Sequence, residues 1–238
     1  MRALIVAMAV LVSACAEEAP IQVSLDVGAH AVTFDAPEAW QHFGDEKEHL
    51  FKKEIAQIFL TDAGPVTVQG FKQEVERART VFREVGIEQA NDILNAIRWR
   101  SSFPSIDRWE TFSTSLTQAR GLWDRREHYD PFAVESAYTE LLVQLETLPD
   151  RDIDTLAVEV LADIEPLDRR TIRNQSPMLV DGRSALLIET WDRLNHIQPM
   201  RYIFILDEGR FLIVRSGLGQ FSEIEPAFDA IAASLTLQ

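Results

Sequence analysis

The spacing of apolar residues changes twice along this chain, and that change limits the folds open to it. From Ile21 to Phe34 apolar residues fall at every second position, as Ile21, Val23, Leu25 and Val27 and then Val32 and Phe34, with Gly28 between the two runs. Alternate side chains of a strand point to opposite faces, so the pattern predicts a strand, a tight turn and a second strand. Pro37 and Trp40 close the pair, a charged stretch follows at 45–54, and the run from Ile55 to Leu60 predicts another strand ended by Asp62, Gly64 and Pro65. From Phe71 the interval lengthens to the helical one: Phe71, Val75, Ala78, Phe82 and Val85, then Ile87, Ala90, Leu94 and Ile97 after Gly86. Ile106 to Trp123 predicts a third helix, Phe132 to Leu148 a fourth and Ile153 to Ile164 a shorter fifth, with Pro104, Pro131 and Pro149 as punctuation. From Leu167 strands return. Asp181-Gly182 marks a hairpin turn. Met200 to Leu206 and Phe211 to Val214 are apolar on both faces around Asp207-Glu208-Gly209-Arg210, which predicts a central hairpin covered on each side. Phe221, Ile224, Phe228, Ile231 and Leu235 predict a final helix whose start is marked by Ser222 and by Glu225 or Pro226.

The first residues have a different logic. Met1 and Arg2 precede an apolar run from Ala3 to Val12, and Val12-Ser13-Ala14-Cys15 follows. A positively charged start, a short apolar core and small residues form a secretory signal, and a run this short cannot span a bilayer, which takes roughly 20 residues. The segment resembles the bacterial lipobox, which implies cleavage before Cys15 and lipid attached to that cysteine. Cys15 is the only cysteine in the chain, so thioether formation would remove what would otherwise be an unpaired thiol in a secreted protein. Ala16, Glu17, Glu18, Ala19 and Pro20 form a polar tether with no aspartate directly behind the cysteine. In Gram-negative lipoproteins this implies sorting that favours the outer membrane over the inner, with the chain facing the periplasm or exterior.

Of the 238 residues, 23 are Lys or Arg and 38 are Asp or Glu, a net charge of −15. A surface this acidic repels phosphates, which argues against nucleic-acid binding and against a basic face for anionic lipid. The apolar content of 46% excludes wholesale disorder and allows an ample core.

The two ends together resemble the PsbP-like alpha/beta sandwiches. The similarity lies in Val32-Thr33-Phe34-Asp35-Ala36-Pro37-Glu38-Ala39-Trp40, in Gly182-Arg183-Ser184-Ala185, in Arg201-Tyr202-Ile203-Phe204-Ile205, and in Glu225-Pro226-Ala227-Phe228-Asp229-Ala230-Ile231 to Ser234-Leu235. It implies an α+β fold, an antiparallel sheet with a packed C-terminal helix, in which the helical middle is a large insertion. The expected organisation is a signal at 1–14, a tether at 15–20, sandwich halves at 21–70 and 167–238, and an all-helical insertion at 71–166. The resemblance implies binding or assembly and carries no catalytic set.

Motifs for chemistry are sparse. Asp150, Asp152 and Asp154 alternate as in a calcium loop, but Thr155 and Leu161 stand where glycine and a bidentate glutamate are required. The segment reads as an acidic helix N-terminus. His42 and His49 flank Asp45, Glu46 and Glu48, without tetrahedral spacing or a second pair. Ser184 after Gly182 runs on into a strand, and Ser216 before Gly217 lacks the upstream glycine, so neither makes a nucleophile elbow. No P-loop or dinucleotide fingerprint is present. No catalytic residue, metal ligand or cofactor is assigned. Trp99, Trp109, Trp123 and Tyr129 concentrate aromatics in the helical middle and are candidate anchors for a protein partner. The expectation is a lipid-anchored, non-enzymatic binding or assembly module of the bacterial envelope with a protein partner there. The alternative is an envelope hydrolase acting through a carboxylate pair.

Overall fold

Strands from both sides of the helical stretch meet in each of two sheets. A computed structural model describes residues 21–36, 39–45, 47–54, 56–98, 121, 129–149, 151–165, 170–192, 199–217 and 221–238. The predicted third helix, from Ile106 to Trp123, lies outside this range except for Gly121. The chain is α+β, with five helices and two antiparallel sheets among the described residues.

The small sheet joins β1 (Ile21–Val27), β2 (His30–Ala36) and β10 (Thr236–Leu237), with β2 in the middle. The large sheet comprises β3 (Gln41–Gly44), β4 (Glu48–Lys53), β5 (Ala56–Pro65), β6 (Arg170–Val180), β7 (Arg183–Asp192), β8 (Pro199–Asp207) and β9 (Arg210–Ser216). Its order is β3-β4-β5-β9-β8-β7-β6, antiparallel throughout. The predicted central hairpin is β8 and β9, with Ile203, Ile205, Leu212 and Val214 on one face and Tyr202, Phe204, Phe211 and Ile213 on the other, all buried. Both the β6–β7 and β8–β9 hairpins turn on two residues with positive φ, Asp181-Gly182 and Glu208-Gly209, the geometry whose twist matches that of the flanking strands.

The helices are α1 (Val68–Glu84), α2 (Ile87–Arg98), α3 (Pro131–Glu146), α4 (Ile153–Ile164) and α5 (Phe221–Ser234). Thr67, Asp130 and Asp152 cap α1, α3 and α4, each side chain accepting from a backbone N–H of the first turn. Pro131 opens α3, where its missing N–H costs nothing. Pro226 lies inside α5, because the helix begins earlier, at Phe221.

Three apolar cores result. The first lies between the large sheet, the small sheet and α5, and contains Phe34, Phe51, Ile58, Leu60, Phe228 and Ile231. The opposite face of the large sheet is covered by α4, through Leu156, Ala157, Val160 and Leu161 against Phe204, Phe211 and Ile213. The other core is purely helical, uniting α1, α2 and α3 through Phe71, Val75, Leu94, Tyr138, Leu141 and Leu145. A backbone clamp ties that helical unit to the sheet: the N–H groups of Val66 and Thr67 donate to the Gly209 carbonyl at 2.8 and 3.1 Å. Gly209 has φ +81° and its missing Cβ would lie 2.6 Å from the Gly70 nitrogen, so only glycine allows the hairpin to seat under α1.

Candidate functional site

The junction between the helical unit and the sheet encloses an open cavity of about 570 Å³. The β1–β2 turn supplies Gly28 and Ala29, the β3–β4 turn Lys47, and β5 Asp62 and Pro65. Glu74 and Arg77 come from α1, Asp92 and Ile93 from α2, and Arg210 from the start of β9. The register of β5 against β9 shifts between Asp62 and Pro65, a bulge that places Asp62 opposite Leu212 and Pro65 opposite Arg210.

Arg210 organises the floor. One guanidinium nitrogen donates to Asp62 Oδ2 at 2.7 Å and another to Glu74 Oε1 at 2.5 Å, which joins strand to helix through one cation. Asp62, 5% exposed at its side chain, also accepts the Gly64 N–H at 2.6 Å and the Ala29 N–H at 3.1 Å. Burial alone would raise its carboxyl, but His30, Arg210 and the Gly64 N–H together outweigh that and hold it well below the usual aspartate range. Gly28 has φ +61°, and a Cβ there would fall 2.1 Å from Asp62 Oδ2, so the turn is glycine because the carboxylate occupies that space.

The network extends beneath the cavity. The buried His30 ring stands between two carboxylates, with Nδ1 3.1 Å from Asp207 Oδ2 and Nε2 3.7 Å from Asp62 Oδ1. Asp207 accepts in turn from Arg183 Nε at 2.5 Å, and Arg183 donates to Asp181 at 2.8 Å. Asp181 accepts the Leu237 N–H at 2.9 Å, which ties the chain's last strand to the β6–β7 turn. The cavity floor is thus held by alternating charges drawn from both sheets and α1, which fixes its polar groups before any ligand arrives.

Other sequence candidates fall elsewhere. Across the β3–β4 hairpin His42 Nε2 lies 2.9 Å from His49 Nδ1, and His49 Nε2 donates to the Asp26 carbonyl at 2.9 Å. A neutral His49 with its proton on Nε2 accepts from His42 through Nδ1. Burial, and then the neighbouring His49, lower the pKa of His42. Asp45 accepts the Lys47 and Glu48 N–H groups and shapes the turn, while Glu48 accepts from Thr61; Glu46 lies outside the described residues. Among the described residues no group of three or more His, Cys, Asp or Glu is placed to hold a metal ion. Asp152 caps α4 by accepting from the Thr155 N–H at 2.7 Å and its hydroxyl at 3.0 Å, Asp154 sits in the first turn, and Asp150 lies outside the described residues. The exposed Ser184 starts the second half of a hairpin, and the buried Ser216 accepts the Arg201 N–H at 2.8 Å.

Cys15, Trp99, Trp109 and Trp123 lie outside the described residues. Tyr129 is partly buried against the helical core, its ring 6.1 Å from that of Phe82. In the sequence His30, like His128 and His196, reads as a scattered solvated or hydrogen-bonded histidine, and nothing singles out Asp62, Glu74, Arg77, Asp92 or Arg210. Their one shared signal was position: Asp62 and Arg210 flank turn residues in otherwise apolar runs.

A smaller cavity of about 280 Å³ lies between β6, β7, β8 and α5, next to Leu179. Arg201 on its wall is engaged by Glu189 at 3.2 Å and Asp229 at 2.7 Å and lies over the Phe228 ring. No family model matches the chain, and no curated protein matches it.

Proposed function

We propose that the chain is a lipid-anchored envelope protein acting as a non-enzymatic binding module, and that the cavity between helices and sheet is its binding site. The observation that carries the binding half is the floor of that cavity, in which one partly buried guanidinium holds both Asp62 and Glu74. A carboxylate-pair hydrolase needs one acid protonated and the other ionised. Asp62 is kept ionised by its contacts, and Glu74 has Arg210 on one oxygen at 2.5 Å and Arg77 on the other at 3.4 Å. This pair is built to fix a surface and is poorly suited to passing a proton.

The proposal extends to architecture. The scaffold is a PsbP-like sandwich, and the helical unit is an insertion within it. Support comes from the direct pairing of β5 with β9, which makes the intervening helices an excursion from a shared sheet, and from α5 packed across that sheet. Cys15 anchors the chain through lipid, and the polar tether favours the outer membrane. A partner protein in the envelope would be reached through the stretch of sequence between α2 and α3, which concentrates Trp99, Trp109, Trp123 and Tyr129. Among the described residues no helix is long and apolar enough to cross a membrane.

The anchor is tested by fatty-acid labelling and membrane fractionation of the full chain and of Cys15→Ser in bacteria. Wild type is expected to carry label and to sediment with membranes, and the variant to carry none. Label that persists on the variant would refute lipidation at this residue.

A further inference from the structure

We propose that the cavity takes a small zwitterion, an amino acid or short peptide with a free ammonium and a free carboxylate. Asp92 receives the ammonium, and Lys47 and Arg77 receive the carboxylate. This rests on the binding reading above and names the ligand class for the same site.

The charges around the cavity divide into engaged and available groups. Arg210 engages Asp62 and Glu74 through its two terminal nitrogens, while its Nε is buried without a hydrogen-bond partner. Lys47 and Asp92 line the same cavity, and among the described residues neither side chain forms an ion pair or hydrogen bond, Lys47 feeling only the longer-range attraction of Asp45. Arg77 is 64% exposed and reaches Glu74 through a single nitrogen at 3.4 Å, long for a charged hydrogen bond, so its remaining donors are available. Two cations and one anion are thus on offer above a preorganised floor.

Electrostatics then select the ligand. The lining carries Lys47, Arg77 and Arg210 against Asp62, Glu74 and Asp92, a balanced set in a chain of net charge −15. The field of the whole molecule repels a simple anion, and it attracts a simple cation to many places on the surface. A zwitterion feels little of that field at a distance and gains from both signs only where they stand together. The volume, about 570 Å³, lies within the range of small-ligand sites, and Ile93, Pro65 and Ala29 give an apolar side chain somewhere to rest. Gly28 and Ala29 also bring backbone close to the carboxylate floor without a bulky side chain between.

The test is calorimetry on the full chain in detergent at low salt, with alanyl-leucine, its N-acetyl form and its C-terminal amide as probes. Alanyl-leucine is expected to bind, and each blocked form to bind at least about tenfold more weakly, the equivalent of one charge-assisted contact. Asp92→Asn is expected to weaken alanyl-leucine by a similar factor and to leave the N-acetyl form unchanged. Lys47→Gln with Arg77→Gln is expected to weaken alanyl-leucine and leave the amide unchanged. Equal binding of the N-acetyl form and the parent would overturn the zwitterion inference and leave a binding site for anions. No heat from any of the three probes would overturn the inference outright. Free alanine and leucine in the cell after titration would overturn the non-enzymatic reading and leave the ligand class standing.

Discussion

Asp62 sits where the sheet, the β1–β2 turn and α1 converge; its carboxylate bonds to the first two and reaches the third through Arg210 and Glu74. It accepts from Arg210, from the Gly64 N–H and from the Ala29 N–H. Replacing it with asparagine keeps the shape, removes the charge and leaves Arg210 with Glu74 alone. Breaking a buried pair in this way costs about 3 kcal/mol near neutral pH. The pH dependence has a definite sign. The folded carboxyl titrates below its ordinary value of 3.8, so the unfolded chain binds the proton more readily. Its contribution is therefore complete above that value and is lost as pH falls through the folded one. Urea denaturation of wild type and Asp62→Asn is expected to show a gap at neutral pH that narrows as pH drops below 3.8. A gap that stays constant into acid would mean that the charge is not what Asp62 contributes. None of this could be read from the sequence, because the partners are far apart along the chain. His30 and Asp207 are separated by 177 positions and Asp62 and Arg210 by 148. Asp207-Glu208-Gly209-Arg210 is legible as a turn from its composition; that its two outer residues anchor a buried ionic network depends on register and on the β5 bulge.

Elements built on one apolar face were legible, and those built on mixed faces were not. The paired strands at the start, the central hairpin and, among the described residues, the amphipathic helices follow their apolar spacing closely. β4 lies in what reads as a charged stretch, because its inward positions include His49 and its composition is dominated by Glu48, Lys52 and Lys53, and β3 before it is short and exposed throughout. The histidine pair and Phe51 do there what alternating valines would do elsewhere. β6 is hard to read for a related reason. It is an edge strand with a register shift between Ile172 and Asn174, so its apolar residues change face partway. The α1–α3 contact joins both kinds of force. Glu135 accepts from two nitrogens of Arg83 at 2.6 and 2.8 Å and from Arg79 at 2.8 Å, and Arg83 first and then Arg79 hold its carboxyl down at about 2 against the opposing effect of burial. The group is partly exposed, so Glu135→Gln is expected to cost only about 1 kcal/mol. Leu141→Ala, in the helical core, is expected to cost about 2–5 kcal/mol. Chemical denaturation of both variants decides the matter. Equal losses would mean that the arginines, and not the apolar face, dock α3.

At the scale of the whole molecule the question is which helices the sheet can lose. The helical middle reads as one insertion from 71 to 166, but its parts face different cores. Phe71, Leu94, Tyr138 and Leu145 pack with one another in the unit of α1, α2 and α3. Leu156, Ala157, Val160 and Leu161 of α4 pack on the sheet against Phe204, Phe211 and Ile213. Removing α4 would uncover that face, at about 1.5–3 kcal/mol for each large side chain returned to water, and several such losses exceed the stability of an ordinary domain. Removing α1 to α3 alone strips mainly their own core, along with the Arg210–Glu74 pair, while Val66 and Thr67, which clamp Gly209, remain in the chain. Closing the gap with a flexible linker adds little, since loop entropy grows only about 0.6 kcal/mol per doubling of length. Two chains separate the cases. Replacing residues 71–148 by a Gly-Ser linker is expected to leave cooperative melting and strand-rich circular dichroism, with zwitterion binding lost because Arg77 and Asp92 go with the helices. Replacing residues 71–166 is expected to leave a molten or insoluble chain. If the shorter replacement also melts without cooperativity, the three helices are part of the sheet's folding unit, and their description as an insertion fails.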